Sequence, residues 1–87
     1  MLESAQIRAA RALLGWHQEE LAKRAKIGLA TIQRLERAPP GPVMAHVATV
    51  VKITDCLKKA GINFLESDSN GGIGVRMKKQ ALLKRIV

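Results

Sequence analysis

The stretch QEELAKRAKIGLATIQRLE, residues 18–36, contains two short helical patterns separated by only a few residues. Apolar side chains recur three or four positions apart in each pattern, which predicts the helices Gln18–Ala25 and Leu29–Arg37. Isolated helices shorter than about 12 residues are marginal in water. The two helices must therefore brace each other, and the question is what the outer face of the second one contacts.

Two more helical patterns flank this stretch. ESAQIRAARALLG predicts a helix Ser4–Leu14, with Ser4 as its N-cap and Gly15 as its C-terminal stop. RAPPGPV, residues 37–43, interrupts the helical pattern because proline cannot continue a helix. A fourth helix follows and ends at Gly61. Its apolar residues at three- and four-residue steps are Val47, Val50, Ile53, Leu57 and Ala60.

The periodicity of the sequence changes after the fourth helix. Residues 62–66 and 74–78 alternate between apolar and polar side chains, and the intervening SDSNGG is typical of a turn. This pattern predicts a β-hairpin. The last segment, KKQALLKRIV, is either a short basic helix or a partly ordered tail. The fold class is therefore expected to be mostly α, with four helices followed by a C-terminal β-hairpin.

Length and charge restrict the class of protein. A chain of 87 residues forms one domain. Fifteen Lys and Arg against seven Asp and Glu give a formal charge of +8, which points to a polyanionic partner, nucleic acid before membrane. No apolar run approaches the ~18 residues of a membrane span, and the N-terminal residues do not resemble a secretory signal. We therefore expect no membrane partner.

Several reactive residue types are present without a reactive arrangement. Cys56 is the single cysteine, which excludes an internal disulfide and fits a reducing cytosol, so a cytoplasmic location is expected. His17 and His46 do not form a metal-ligand cluster with Cys56. Trp16, between a glycine and a helix start, is expected to lie in the core. No nucleophile, base and orienting group occur together, so we expect no enzyme activity, cofactor, metal or small-molecule substrate.

The spacing in residues 18–36 meets the needs of two helices that cross closely. Ala22 is small enough for the crossing, Ile27 can plug the link, and Ile32 and Leu35 lie a turn apart on the inner face of the second helix. Together with Gln18 and Leu21, these positions resemble the helix-turn-helix of the lambda-type phage repressor and Cro family, also called XRE-like. The resemblance covers about residues 4–60. It implies a repressor-like helix-turn-helix domain over residues 1–61. Residues 62–87, the hairpin and basic tail, are expected to be a dimerisation element of the same domain, because a two-stranded ribbon is marginal alone and leaves edges to pair.

One position departs from the family pattern. Lys26 stands in the turn where members of the family usually have glycine. A left-handed conformation at a residue other than glycine costs about 1 kcal/mol, which is tolerable. A lysine at this corner could also reach a DNA phosphate.

The resemblance also assigns roles to the residues of the second short helix. Gln33 and Arg34 match positions that read base edges, and Gln and Arg can bond adenine and guanine, respectively, with two hydrogen bonds. The positions implied to contact bases are Gly28, Leu29, Ala30, Gln33 and Arg34. Gln18 is implied to contact a phosphate, and the further phosphate candidates are Lys26, Thr31 and Arg37. Arg11 and Glu36 match a structural ion pair of the family.

We interpret the chain as a sequence-specific regulator of transcription that binds double-stranded DNA. We expect a repressor that binds a palindromic operator as a homodimer, because one recognition helix contacts too few base pairs to select a single site. The apolar residues of the hairpin are the expected dimer contact, namely Ile62, Phe64, Leu65, Val75 and Met77. The basic residues after Gly74 either cover a solvated edge or add phosphate contacts.

Two other interpretations remain open. The chain could be an antitoxin-type module that neutralises a partner protein through residues 78–87 and regulates itself by DNA binding. It could also bind nucleic acid without sequence preference, although the aromatic content of 2% argues against a single-strand stacking surface.

Overall fold

The computed structural model describes residues 2–86, and of residues 85 and 86 only the backbone. Met1 and Val87, the ends of the expected domain ranges, lie outside these described residues. The elements in chain order are α1 Ser4–Leu14, α2 Gln18–Ala25, α3 Leu29–Arg37, α4 Val47–Lys59, β1 Ile62–Leu65, β2 Gly74–Met77 and α5 Lys79–Ile86. The predicted fold class is confirmed. Each strand ends one residue before its predicted boundary, and the C-terminal segment forms a helix.

The core lies where α1 to α4 and the start of the hairpin meet. It contains aliphatic side chains, in agreement with the low aromatic content of the sequence. The burial of one such side chain contributes about 1.5–3 kcal/mol. The largest fully buried side chains are Ile7, Leu21, Ile32, Leu35, Ile53, Leu57 and Ile62. The buried apolar stripe of each helix therefore determines which of its faces remains available to a partner.

The start of α1 corrects one prediction. Glu3 is the N-cap, and it forms a capping box in which its backbone N–H donates to Gln6 Oε1 at 3.0 Å. Ser4, the predicted N-cap, is instead the first helical residue, and its Oγ donates to the carbonyl oxygen of Ala38 at 3.1 Å. The reason is tertiary: residues before α1 pair with the proline-rich loop, where Val43 N–H donates to the Leu2 carbonyl at 2.9 Å.

The hairpin packs against α1 and the end of α4. Its antiparallel register pairs Phe64 with Val75. Gln6 Nε2 donates to the carbonyl oxygen of Gly74 at 3.1 Å, which fixes the hairpin to α1. Gly61 has a φ of 111°, and a Cβ there would lie 2.4 Å from Ala81 Cβ. This position therefore needs glycine both for its backbone and for the close approach of α5.

Candidate nucleic-acid interface

The turn between α2 and α3 contains a left-handed residue at Lys26, the position where the family usually has glycine. Lys26 is left-handed, with φ 58° and ψ 45°. Ile27 N–H donates to the Ala22 carbonyl at 3.0 Å and Lys26 N–H to the Lys23 carbonyl at 3.4 Å, the two bonds of a Schellman motif. Ile27 packs against the core, while the Lys26 side chain is exposed. The turn thus fixes α3 relative to α2 and leaves a cation at its corner.

The buried residues of α3 determine which face points outward. Ile32 and Leu35 are fully or almost fully buried. The opposite face carries Ala30, Arg34 and Arg37, all exposed. It also includes Gln33, which is half-buried. The candidate base-contacting and phosphate-contacting residues of α3 therefore share one outward face.

The N-terminal end of α3 is open. Gly28 is its N-cap, is exposed, and has no atom within 4 Å of the position where a Cβ would lie. Leu29 and Ala30 follow it and are exposed, whereas Thr31 is half-buried. The first N–H groups of a helix have no partner within the helix and favour an anion. This end can consequently approach a DNA backbone and its bases closely.

Arg34 is held at the edge of this face in the unbound protein. Its Nη1 donates to the carbonyl oxygen of Met44 at 3.4 Å, a long and exposed bond. A charge-assisted hydrogen bond to a guanine edge would be shorter and stronger. The contact to Met44 therefore directs the guanidinium without competing strongly with a base.

Glu36 is turned away from the outward face and is neutralised. Its side chain is almost completely buried, and the residue is only 4% exposed. Arg11 donates to both carboxylate oxygens, from Nε and Nη2, at 2.7 Å each. These hydrogen bonds raise the pKa of the Arg11 guanidinium. Glu36 is the single acidic residue of α3, so the outward side of the helix carries no negative charge.

Three side chains of α1 hold the C-terminal end of α3. Ser4 donates to the Ala38 carbonyl, Arg8 donates to the backbone carbonyl of Glu36, and Arg11 binds the Glu36 carboxylate. We call Ser4, Arg8 and Arg11 the α1 clamp. Cations at the C-terminal end of a helix also interact favourably with its dipole. The clamp fixes the direction in which α3 projects from the domain.

Sequence reasoning missed most of the clamp. Ser4, Arg8 and Arg11 stand four and three residues apart, so they share one face of α1. That spacing could have predicted a polar contact, but no local rule names the partners of Ser4 and Arg8, which lie more than twenty positions away. Gln18, expected to bind phosphate, donates from Nε2 to Glu36 Oε1 at 3.2 Å. Its side chain therefore also ties the start of α2 to α3.

The residues expected at a dimer contact have different environments. Ile62 has no exposed surface, and Phe64 and Val75 pack against the core of the same chain. Leu65 is exposed and Met77 is half-buried. Three of these five hairpin side chains therefore pack within the same chain and are not free for a contact with a second copy. A contact between copies at the hairpin stays a prediction that depends on Leu65 and Met77.

Other residues singled out in the sequence lie away from α3. Trp16 packs against the core, and the Arg24 guanidinium lies 4.7 Å from the centroid of its ring. Cys56 is half-buried, and burial raises the pKa of its thiol. Within residues 2–86, no group of three His, Cys, Asp or Glu side chains could hold a metal ion. No helix in this range is long and apolar enough to cross a membrane.

Comparison with known proteins agrees with the geometry of α2 and α3. A family model described as helix-turn-helix matches residues 7–65, which is most of the chain. The match begins inside α1 and continues through α4 to the end of the first hairpin strand. No curated protein matches the chain significantly. Proteins of this family bind DNA and are generally not enzymes. The chain belongs to the XRE-like helix-turn-helix family of the lambda repressor and Cro type, a family of DNA-binding regulators of transcription.

Proposed function

We propose that the protein is a sequence-specific repressor that binds an inverted-repeat operator as a homodimer. The observation that carries this proposal is the outward face of α3. It presents Gln33, Arg34 and Arg37, while Glu36, the one acid of the helix, is buried against Arg11. A face with these groups can enter the major groove and contact bases with side chains that distinguish them.

Each candidate residue has a role in this docking. Gln33 and Arg34 bond adenine and guanine edges, and Leu29 and Ala30 contact thymine methyl groups. Gly28 allows the backbone to approach the bases. Contacts to phosphates come from Gln18, Lys26, Thr31 and Arg37. The Gln18 amide remains bonded to Glu36 through one N–H, so its second N–H and the first backbone N–H groups of α2 face the phosphate.

The homodimer follows from the size of the interface. One recognition helix reads only a few base pairs, whereas two helices on half-sites about 34 Å apart read enough to select one site. An operator with inverted repeats matches a protein dimer with two-fold symmetry. Repression then results from occupancy of the operator. We place the protein in the cytoplasm, and its function requires no cofactor.

The experiment that tests the proposal is selection of bound duplexes from a random pool, followed by gel-shift competition at two salt concentrations. A specific regulator enriches a short inverted repeat and binds it at least ~10³-fold more tightly than random DNA. Uniform binding that falls steeply with salt would contradict the proposal and favour a non-specific binder. The Arg34→Ala variant, with Lys52→Ala as a charge-matched control on α4, shows whether α3 carries the preference.

One observation favours the antitoxin-type alternative. Leu82 and Leu83 of α5 are exposed, and α5 is attached mainly near Gly61. A helix with exposed leucines could bind a protein encoded beside this chain. Co-purification of such a protein with the wild type, lost in Leu83→Asp, would support this role. If the neighbouring gene product does not bind, the alternative fails while the repressor proposal stands.

A further inference from the structure

Three of the exposed apolar side chains of the protein lie within eight residues of one another in the chain. Met44 is 83% exposed, Val47 is 78% exposed and Val51 is 47% exposed. They lie in the loop before α4 and along its first turns. We call these three residues, with the exposed Ala48 between them, the neutral face. Single exposed apolar residues are ordinary, but a contiguous group indicates an interaction surface.

The sequence around the neutral face has no charged residue. Residues 38–51 contain no Asp, Glu, Lys or Arg, although charged residues make up 25% of the chain. A solvated surface of this length would ordinarily carry several of them. The segment itself offers no Lys or Arg to DNA or to an acidic partner. The composition therefore fits an uncharged, apolar occupant.

A shallow apolar depression lies beside the neutral face. Its volume is about 250 Å³, and its lining has no charged side chain. The lining residues are Leu2, Pro42, Val43, Ala45, Val47 and Val50. A projecting side chain such as Met44 from a second copy has the size and polarity to enter it. The surface thus carries both a projection and a recess, as a self-complementary interface requires.

We propose that the neutral face is the contact between two copies of this chain. Two copies that each carry a charge of +8 repel each other, so they associate most easily through a surface without charge. This uncharged segment is such a surface. The inference rests on the proposed function, which requires a second copy of the chain. It assigns the contact between the copies to this face rather than to the hairpin.

The position of the face suits a dimer that reads DNA. Arg34 on the outward side of α3 donates to the backbone of Met44, so the neutral face borders the candidate DNA interface directly. A two-fold axis through this border places the two α3 helices on either side of it.

Sedimentation of the full chain without DNA tests the proposal. The wild type should dimerise, and Val47→Asp should raise the dimer Kd by about 100-fold or more, because it places a charge in each half of the contact. Val47 is the first residue of α4, where Asp is favourable to the helix, so folding is preserved. Val51→Asp should weaken the dimer in the same way. Far-UV circular dichroism verifies that each variant is folded.

Two control variants locate the contact. Leu83→Asp changes an apolar residue of α5 that is 52% exposed and should leave the dimer Kd unchanged. Leu65→Asp changes an exposed apolar residue of the hairpin and should likewise leave the dimer Kd unchanged. If Leu65→Asp dissociates the dimer and Val47→Asp does not, the contact lies at the hairpin and the proposal is wrong. A wild type that stays monomeric up to about 1 mM, or that uses the face for another protein only, also overturns it.

DNA binding separates this inference from the proposed function. Val47→Asp should bind an isolated half-site as the wild type does but lose the additional affinity for the complete inverted repeat. If the wild type dimerises through the neutral face and yet binds no duplex specifically, the proposed function fails and the contact remains. If specific binding persists in Val47→Asp with full affinity for the repeat, the proposed function stands and the contact at this face is refuted.

Discussion

The α1 clamp and the neutral face both depart from the usual pattern of an apolar core and a polar surface, each in its own way. The clamp holds a buried acid: Glu36 lies inside the protein and accepts hydrogen bonds from Arg11 of the clamp and from Gln18. The neutral face exposes apolar groups, with Met44 and Val47 largely in solvent. Both arrangements cost free energy in the isolated chain relative to a simple core and a polar surface. The buried polar cluster fixes the orientation of helices within one chain, whereas the exposed apolar cluster is available for contact with another chain.

The largest effect on stability is expected where the clamp binds Glu36. Glu36→Ala should lower the free energy of unfolding by about 3 kcal/mol, because it removes the carboxylate that neutralises the half-buried Arg11 and accepts two of its hydrogen bonds. Urea unfolding followed by circular dichroism measures the loss. Glu20→Ala is the matched control, since Glu20 pairs with Arg24 at the same 2.7 Å but in solvent. An exposed pair of this kind contributes less than about 1 kcal/mol. Equal losses in the two variants would show that the clamp has no special role.

The outward face of α3 should respond in binding but not in stability. Arg34→Ala and Gln33→Ala should each cost about 1–3 kcal/mol of affinity for the selected operator and relax the preference at particular base pairs. Competition gel shifts on operator variants measure both effects. The Lys52→Ala variant removes a charge from α4 and should affect operator and random DNA alike. If Arg34→Ala weakens both DNAs equally, Arg34 binds the backbone and does not read a base.

A change at Lys26, in the turn between α2 and α3, should raise the stability of the fold but weaken the salt-dependent part of DNA binding. Lys26→Gly relieves a left-handed conformation and should raise the free energy of unfolding by up to about 1 kcal/mol. The same change removes a cation that we propose contacts a phosphate, so the slope of log affinity against log salt should fall by about 1. Lys26→Asn, which tolerates the left-handed region, separates the loss of charge from the gain in backbone freedom. An unchanged slope would exclude the phosphate contact.

The neutral face should contribute almost nothing to the fold of one chain. Val47→Asp should change the free energy of unfolding by less than about 0.5 kcal/mol at low protein concentration, because the side chain is already in solvent. The wild type should gain in Tm as its concentration rises, whereas the variant should not. Thermal unfolding at two concentrations compares them. A large loss at low concentration would mean that Val47 supports the single chain.

The sequence predicted the helices because their apolar spacing and terminal residues act locally. The bounds of α1 to α3 follow from the positions of Ile7, Leu21, Ile32 and Leu35 and from the stop at Gly15. The role of Ser4 was wrong because its partner, Ala38, lies 34 residues away and no local rule names it. For the same reason the bonds of Arg8 and Gln18 to Glu36 were not anticipated. Those contacts depend on how the helices are arranged in space.

The site was predictable to the extent that it depends on helical phase. Ala30, Gln33, Arg34 and Arg37 fall opposite the buried Ile32 and Leu35 in any regular helix, and the structure has them there. The neutral face was missed because Met44 and Val47 fit equally well in a core. Apolar residues at three- and four-residue steps indicate that a face will be covered. They do not indicate whether the same chain or another one covers it.

The most direct measurement of the central claim, that α3 reads base edges, is a cycle of Arg34→Ala with 7-deazaguanine at each guanine of the selected operator. The substituted base lacks the N7 acceptor but keeps base pairing. If Arg34 reads a guanine, the two losses of binding free energy should fail to add by about 1 kcal/mol or more at one position in each half-site. Additivity within about 0.5 kcal/mol at every guanine would contradict the assignment and remove Arg34 from sequence recognition.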